Sequence, residues 1–373
     1  MRDLVFAKQA ARNRVVASRS SAADTHWDLW TSFCTQLSLD PFLQNISDPV
    51  DVLQVFLHRV RKGVIAPKVK SPPYQVRARS AEDTLRSIGQ TFARMGAPDP
   101  RLAPSGKLDF RLSSQVSGYK KEDPPPDRVK PAPITLLQHV LFAAIASTAV
   151  SSLAIADMIV LAFFFLLRPG EYTATKSDTT PFRLCDVRLS VGSQYLDIFT
   201  ATPEQLNTAT FASLTFTDQK NGVRGEVIGM STSGDPHFCP VKALVRRIIH
   251  LRSHNAAPTM PLGMYFDRNK WRPVSPTAIT ATLRAAVTFL GPSTLGFLPK
   301  DVTARCLRAA GAMALLCARV DTDVIRLIGR WRSDEMLRYL TVQAEPVMRD
   351  YSHRMLSHGD FVLHPNAEVP QSS

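Results

Sequence analysis

The sequence lacks most of the patterns that place a chain in a familiar biochemical class. Its five cysteines are scattered and form no C-x-x-C pair, so neither a disulfide framework nor a zinc module is predicted, and a reducing compartment fits best. No P-loop, dinucleotide fingerprint or nucleophile-elbow serine occurs, which argues against ATP-driven and hydride-transfer chemistry. No internal repeat is apparent, which argues against solenoids and propellers.

Long apolar runs are missing as well. The strongest run, over residues 152–167, is shorter than the ~20 residues of a membrane-spanning helix and contains Asp157, so it predicts a buried core helix and no membrane partner. The amino terminus has no apolar signal-peptide core but is rich in arginine and serine, which predicts a basic, disordered arm over residues 1–22, with an organelle transit peptide as the alternative. We expect an intracellular protein, nuclear in a eukaryote.

Acidic residues are the scarcer charged class. Lys and Arg number 45 and Asp and Glu 32, a formal net charge of +13, which favours nucleic acid as a partner over an acidic protein. Residues 52–81 contain no acidic residue, and we predict that their cations bind DNA phosphates, with a merely solvated basic loop as the alternative. The cations assigned to this surface are Arg59, Arg61, Lys62, Lys68, Lys70, Arg77 and Arg79.

A chain of 373 residues fits two domains. The apolar spacing of Trp27, Trp30, Phe33 and Leu37 predicts a first helix from about residue 23, capped by Asp24 or Thr25. Further helices are predicted at about 48–61 and 80–95. Five prolines between residues 117 and 133 predict an extended interdomain linker. We therefore predict a helical domain over 23–116, a larger domain over 134–356 and a flexible tail over 357–373.

The larger domain begins with helical material over 136–167, which Pro169 and Gly170 are expected to end just after Arg168. Strand patterns follow near 182–200 and over 211–230, where Asn221-Gly222 is a strong hairpin signal and Lys220 lies beside the turn. Further helices are predicted from Pro240 and near 275–290. The predicted fold class is mostly α with a small antiparallel β-sheet in the second domain (α+β).

The carboxy-terminal part carries an arginine-rich helical pattern that leads to a tyrosine. Arg305 and Arg308 are three residues apart and share a face if helical; Asp321 or Thr322 is expected to cap a short helix that Gly329 ends, and a last helix contains Tyr339. A tyrosine is able to attack a phosphodiester when cations bind the non-bridging oxygens, and arginine suits that role. Taken singly, each of these residues also has a structural interpretation, as a helix-end charge, a surface ion pair or a core aromatic.

Taken together, these pieces resemble the tyrosine recombinase (phage integrase) family. They are LLRPGEY at 166–172, a lysine beside a β-turn, R-x-x-R in a helix, LIGRW and a tyrosine soon after, in that order and spacing. The resemblance covers almost the whole chain and is closest to recombinase domains of some eukaryotic retrotransposons. It implies a SAM-like core-binding domain followed by a catalytic domain. It also implies breakage and rejoining of duplex DNA through a 3′-phosphotyrosyl intermediate, without metal or nucleotide cofactor, by a homo-oligomer assembled on DNA.

The resemblance also implies a role for each matching residue. Arg168 is the first catalytic arginine and Glu171 the acidic residue that follows it. Lys220 protonates the leaving 5′ oxygen, Arg308 is the second arginine and Tyr339 is the nucleophile.

Two positions depart from the family pattern. Arg305 stands where the family usually has histidine, and Arg330 stands where it has histidine or tryptophan, although Trp331 follows and is a substitute for that role. Arginine cannot act as a general base. A catalytically degenerate, mobile-element-derived DNA-binding protein therefore stays open as an alternative, as does a basic helical scaffold for an acidic protein. Tyr351 is the rival nucleophile, expected in a carboxy-terminal helix.

A metal site is the remaining candidate. Cys239, His250 and His254 include two histidines on one helical face, but only one thiol accompanies them and arginines surround them. We predict solvated or capping roles for these histidines and no metal.

Overall fold

The computed structural model describes residues 17–65, 74–125, 130–147, 149–175, 180–217, 225–331 and 356. The chain divides into two compact units, Met1–Asp127 and Arg128–Ser373. Several predictions fall outside the described residues. They concern the arm over 1–16, the tail over 357–373, and Lys68, Lys70, Lys220, Tyr339 and Tyr351.

The first unit is helical, and the two predicted helices at 48–61 and 80–95 are confirmed. Its first helix begins earlier than predicted, because residues 17–22 contain no helix breaker, and Thr25 bonds back to the Ser21 carbonyl (3.0 Å) instead of capping. Its helices are α1 (Ala17–Gln36), α2 (Pro49–Arg61), α3 (Ala78–Arg94) and α4 (Phe110–Glu122).

Aromatic side chains form the centre of this unit. Trp30 lies edge-on to Phe56 with ring centroids 5.1 Å apart, and Phe33 and Phe92 pack around the same pair. All four are fully buried, as the spacing of Trp30 and Phe33 in the sequence predicted. Leu37, in contrast, lies beyond the end of α1 and is 40% exposed.

The predicted linker is partly helical. Asp109 accepts a hydrogen bond from the Arg111 amide (2.8 Å) at the start of α4, and the helix then continues to Glu122. No proline occurs before Pro124, so nothing in residues 117–122 stops the helix. The prediction of an extended segment from residue 117 is therefore wrong for its first six residues.

The second unit is mostly helical with a small antiparallel sheet, so the predicted fold class is confirmed. A separate hairpin of β5 and β6 was not predicted. Its helices are α5 (Ile134–Ala146), α6 (Val150–Phe164), α7 (Pro169–Tyr172), α8 (Pro203–Asn207), α9 (Pro240–Ser253), α10 (Pro276–Leu290), α11 (Pro292–Leu295), α12 (Cys306–Cys317) and α13 (Thr322–Ile328). Its strands are β1 (Val187–Val191), β2 (Gln194–Leu196), β3 (Phe211–Phe216), β4 (Glu226–Ser231), β5 (Met264–Asp267) and β6 (Lys270–Pro273).

The sheet has the strand order β2-β1-β3-β4, and its neighbours are antiparallel. Leu214 of β3 lies opposite Val187 on one side and Ile228 on the other, and all three are buried. The pairing of β3 with β4 agrees with the predicted hairpin. The connection that contains Lys220 lies outside the described residues.

Helix α6 is the centre of the second unit, and most of its residues from Ala154 onward are buried, as its strongly apolar sequence predicted. Among the described residues, no helix has the length and apolar character needed to cross a membrane. The helix ends at Phe164, before Pro169, and the chain turns at Leu166, which has a φ of +49°. Pro169 then begins α7, so Arg168 lies at the start of a helix and not at the end of one. The prediction about which helix end carries Arg168 was therefore wrong.

Helix α12 approaches the end of α6 closely at Gly311. A Cβ atom at this position would collide with the Phe163 carbonyl oxygen, which belongs to the backbone and cannot rotate away. Glycine therefore sets the distance between the helix that carries Arg308 and the turn at Leu166.

We expect Gly311→Ala to destabilise the second unit by about 2 kcal/mol, because overpacking costs roughly 1–3 kcal/mol. Urea denaturation measures this. The matched control is Gly118→Ala in α4, where a Cβ would meet no described atom within 4 Å and where alanine should stabilise the helix by about 0.5–1 kcal/mol. Equal stability of the Gly311→Ala variant and the wild type would contradict the close approach.

Candidate functional site

The first predicted catalytic residue is held by a carboxylate. Glu171 Oε2 accepts a hydrogen bond from the Arg168 amide (2.7 Å), and Oε1 accepts one from Arg168 Nη1 (2.9 Å). The Glu171 side chain is 5% exposed and that of Arg168 is 28% exposed. Among the described residues, Arg168 Nε and Nη2 have no hydrogen-bond partner. The guanidinium is therefore anchored at one nitrogen and keeps donors for another acceptor.

Arg330 donates to the same carboxylate. Its Nη2 donates to Glu171 Oε2 (3.1 Å) and to the Leu166 carbonyl (3.2 Å), and its guanidinium carbon lies 4.2 Å from the centre of the Phe216 ring. Its side chain is only 4% exposed. Burial lowers the pKa of Arg330, against the attraction of the Glu171 carboxylate, which raises it.

Arg308, in the first turn of α12, is also buried. Its Nη1 donates to the Leu166 carbonyl (2.8 Å), and its Nη2 donates to the Gly329 carbonyl. Its guanidinium carbon lies 4.3 Å from the centre of the Trp331 ring. Gly329 has room for no side chain, because a Cβ there would overlap the Trp331 ring.

These contacts join residues that are far apart in sequence into one cluster, which we call the arginine cluster: Arg168, Glu171, Arg308 and Arg330. Arg168 and Arg330 share Glu171, and Arg330 and Arg308 share the Leu166 carbonyl. Within these four residues, three guanidinium groups and one carboxylate carry a formal charge of +2, and the Glu226 carboxylate also attracts Arg330. Such a cluster favours an anion, and arginine binds phosphate oxygens through paired N–H donors.

Not every predicted catalytic residue belongs to this cluster. Arg305 is exposed at the start of α12, so it does not share the buried position of Arg308 three residues later. Trp331 packs against the Arg308 guanidinium and is not one of the four residues of the cluster. Lys220 and Tyr339 lie outside the described residues, and their proximity to the cluster stays a prediction.

Several residues that build the cluster carried no signal in the sequence. The Leu166 carbonyl acts through its backbone, and Phe216 is one of many strand aromatics. Tyr172 donates its hydroxyl to the Ala304 carbonyl (2.8 Å) and so ties α7 to the residues before α12. Burial raises the pKa of Tyr172 well above its usual value, so this tyrosine stays protonated.

The predicted DNA-binding strip of the first unit is not a single surface. Arg61 is 1% exposed, and its Nη1 donates to the Val76 carbonyl (2.6 Å) and to Asp123. Asp123 Oδ2 also accepts the Ala78 amide at the start of α3 (2.9 Å). Arg61 therefore joins the ends of α2 and α4 to the start of α3, and its assignment to DNA binding was wrong. The sequence strip has no acid of its own, but Asp123 comes from 62 residues further along the chain.

Four other cations of the strip are described. Lys62, Arg77 and Arg79 are exposed, while Arg59 is half-buried with its guanidinium 5.4 Å from the Phe33 ring. Lys62 follows Arg61 and Arg77 follows Val76, and the Val76 amide donates to the Arg61 carbonyl (2.8 Å). These two exposed cations therefore lie at one junction between α2 and α3.

The two histidines weighed as metal ligands have other contacts. His250 Nε2 accepts the Phe266 amide (3.0 Å), and burial, with a smaller contribution from Arg247, lowers the pKa of His250 to about 4. His254 packs on the Phe266 ring at 4.7 Å. Within the described residues, no group of three or more His, Cys, Asp or Glu side chains is arranged to hold a metal ion.

Solved structures similar to this chain are tyrosine recombinases and integrases. The Tn1549 transposon integrase in complex with circular intermediate DNA is 14% identical, with 88% of this chain and 99% of that chain covered and a TM-score of 0.48. XerA recombinase is 14% identical, with 94% and 96% covered and a TM-score of 0.38. A lambda integrase dimer bound to a COC′ core site is 14% identical, with 81% and 83% covered and a TM-score of 0.36. No family model and no curated protein sequence matches the chain.

We expect Asp123→Asn to destabilise the first unit by about 2–3 kcal/mol at pH 7. Removing one partner of a fully buried ion pair costs roughly 3–5 kcal/mol, and Asp123 retains some exposure. Burial raises the pKa of Asp123, but the hydrogen bonds from Arg61 and the Ala78 amide outweigh it, and the pKa lies below its usual value. The extra stability of the wild type over Asp123→Asn is therefore present above about pH 4. It is lost as the pH falls through the lowered pKa of Asp123.

Urea denaturation of both proteins at pH 7 and pH 3 measures this effect. Asp51→Asn is the control, because Asp51 is 71% exposed and its pair with Arg111 should contribute less than about 0.5 kcal/mol. A wild-type advantage that is the same at both pH values would contradict the role given to the Asp123 carboxylate.

Proposed function

We propose that this chain is a tyrosine recombinase that breaks and rejoins duplex DNA in the integration or site-specific recombination of a mobile element. The observation that carries the proposal is the arginine cluster, in which Arg168 and Arg308, 140 residues apart in sequence, are held around Glu171 and the Leu166 carbonyl. The first unit acts as the core-binding domain and the second as the catalytic domain. The active form is a homo-oligomer assembled on DNA. The closeness to retrotransposon recombinases stays a prediction.

The reaction is a transesterification at phosphorus. Tyr339 loses its phenolic proton to solvent, and its oxygen forms a bond to phosphorus while the bond from phosphorus to the 5′ oxygen breaks. Lys220 gives that 5′ oxygen a proton. A 5′ hydroxyl of a second strand then attacks the phosphorus and releases the tyrosine, so that the number of phosphodiester bonds is unchanged. Neither step consumes a nucleotide or requires a metal ion.

The arginines stabilise the transition state of both steps. Negative charge grows on the non-bridging oxygens as the fifth bond to phosphorus forms, and fixed cations in a site that excludes water stabilise it most. Arg168 is the group best placed to contact these oxygens, because its side chain is partly exposed and has donors left over. Arg308 contributes positive charge from a buried position, held by two carbonyl groups.

The decisive experiment captures the covalent intermediate. We would incubate the protein with a pool of nicked duplexes whose central sequence is randomised, so that the short cleaved strand diffuses away, and isolate detergent-resistant protein–DNA adducts for sequencing. We expect an adduct with the wild type and none with Tyr339→Phe, because only the phenol oxygen can form the bond. Tyr351→Phe is the matched control and should keep the adduct.

An adduct that survives Tyr339→Phe but not Tyr351→Phe would move the nucleophile to Tyr351. A wild-type protein that binds duplex DNA but forms no adduct would favour the degenerate DNA-binding alternative. One observation favours that alternative: the position at which the family has a proton-handling residue carries Arg330, which is buried against Glu171.

DNA binding itself is tested by its dependence on salt. Each phosphate contact releases counterions and contributes about 0.9 to the slope of log Kobs against log salt concentration. We expect the triple variant Lys62→Ala, Arg77→Ala, Arg79→Ala to bind duplex DNA more weakly and with a shallower slope, because these cations are exposed.

Arg86→Ala is the control for this measurement. Arg86 is 53% exposed but pairs with Glu82 and Asp83, so its loss should leave the slope unchanged. A wild-type affinity for duplex DNA that does not fall with rising salt would contradict phosphate binding. It would favour the second alternative, a basic scaffold for an acidic protein.

A further inference from the structure

Arg330 occupies the position at which the resemblance predicts a proton-handling or packing residue, yet its surroundings differ from those of a group that meets substrate. Its side chain is 4% exposed. Its guanidinium carbon lies 4.2 Å from the centre of the Phe216 ring, and its nitrogens donate to Glu171 and to the carbonyls of Leu166, Phe165 and Ile328.

We propose that Arg330 is a positioning residue, which orients Glu171 and through it Arg168, and which does not itself contact DNA. The proposal rests on the function proposed above, because its effect is exerted on the arginine that binds the reacting phosphate.

Arg330 acts on Arg168 through one oxygen of Glu171 to which both residues donate. Glu171 Oε2 accepts from Arg330 Nη2 (3.1 Å) and from the Arg168 amide (2.7 Å), and Oε1 accepts from Arg168 Nη1 (2.9 Å). A carboxylate held at Oε2 by two donors cannot rotate freely about its terminal bond. The two donors to Oε2 therefore set the direction of Oε1, and with it the position of the Arg168 guanidinium.

Arginine suits this position better than the shorter side chains would. The guanidinium has five N–H donors in one plane, and those of Nη1 and Nη2 reach acceptors on three separate segments, at 165–166, at 171 and at 328, while the buried Nε has no partner among the described residues. An imidazole has two nitrogens and can serve at most two of them. The backbone of Arg330 has a φ of +55°, a conformation that L residues rarely adopt. Arg330 is the left-handed residue that follows the end of α13, where its amide donates to the Leu327 carbonyl (2.9 Å) and the Trp331 amide donates to the Arg326 carbonyl (3.0 Å).

The test is a double-mutant cycle on Arg330 and Glu171, read out as the single-turnover rate of adduct formation at saturating DNA. We expect Arg330→Met to slow this rate about 100-fold or more, because small misplacements of a catalytic group have effects of that size. Glu171→Gln should have a similar effect. The variant with both changes should be no slower than the slower single variant, since both changes break one path.

Two further measurements separate positioning from other roles. Arg330→Met should change duplex DNA affinity and its salt slope no further than Arg168→Met does, and the variant with both changes should have the slope of Arg168→Met, whereas loss of a direct phosphate contact by Arg330 would reduce the slope by about 0.9 more. Arg330→Lys should recover part of the rate, because lysine keeps the charge next to Glu171 but loses the carbonyl bonds. If Arg330→Met does not fold, the cycle is run with Arg330→Lys. Arg188→Met, which changes an exposed arginine of β1 outside the arginine cluster, is the matched control and should keep the wild-type rate.

Rates that fall multiplicatively in the double variant, or a salt slope about 0.9 shallower in the variant with both Arg168→Met and Arg330→Met than in Arg168→Met, would overturn the proposal. A wild-type protein without any adduct would instead defeat the proposed function. In that case the salt slope still decides whether Arg330 contacts phosphate, and the same cycle is read out as the free energy of unfolding, where the two substitutions should again be non-additive.

Discussion

The carboxylate of Glu171 is the contact on which the rest of the candidate site depends. It is a single negative charge, almost removed from water, to which Arg168 and Arg330 both donate. A buried charge is tolerated only when it is paired and hydrogen-bonded, so each of these three residues requires the others. Arg308 is connected to them through the Leu166 carbonyl. The cluster therefore behaves as one electrostatic unit, whose position is set where α6 ends and α7 begins.

Local patterns in the sequence predict a large part of this fold. The apolar spacing of α2, α3, α9 and α10 and the alternation in β3 and β4 are properties of short windows, and the structure has these elements within a few residues of the predicted bounds. The Asp321 cap and the end of α13 at Gly329 are equally local. The start of α1 at Ala17 and the extension of α4 to Glu122 depart from the prediction, because neither a possible cap nor a proline further along the chain ends a helix whose propensity is continuous.

The role of each arginine, in contrast, depends on partners that lie far from it in the sequence. Arg61 lies in a strip without acids but is neutralised by Asp123, and Arg330 finds Glu171 at a separation of 159 residues. Arg305 and Arg308 fit one helical face by spacing, yet one is exposed and the other is buried beneath the turn at Leu166. Spacing assigns a residue to a face of its helix. It does not tell which neighbour covers that face, and burial decides whether an arginine binds a ligand or holds the protein together.

The turn after α6 also bears on how the site tolerates mutation. Four of the acceptors that hold Arg308 and Arg330 are backbone carbonyls, those of Phe165, Leu166, Ile328 and Gly329. A substitution cannot delete a carbonyl group, so a changed side chain at residue 165, 166 or 328 leaves these acceptors in place as long as the backbone keeps its path. Glu171 has no such protection, because a single base change can remove its carboxylate. In a lineage that loses selection for the reaction, the packing around the two arginines should therefore outlast their charge balance.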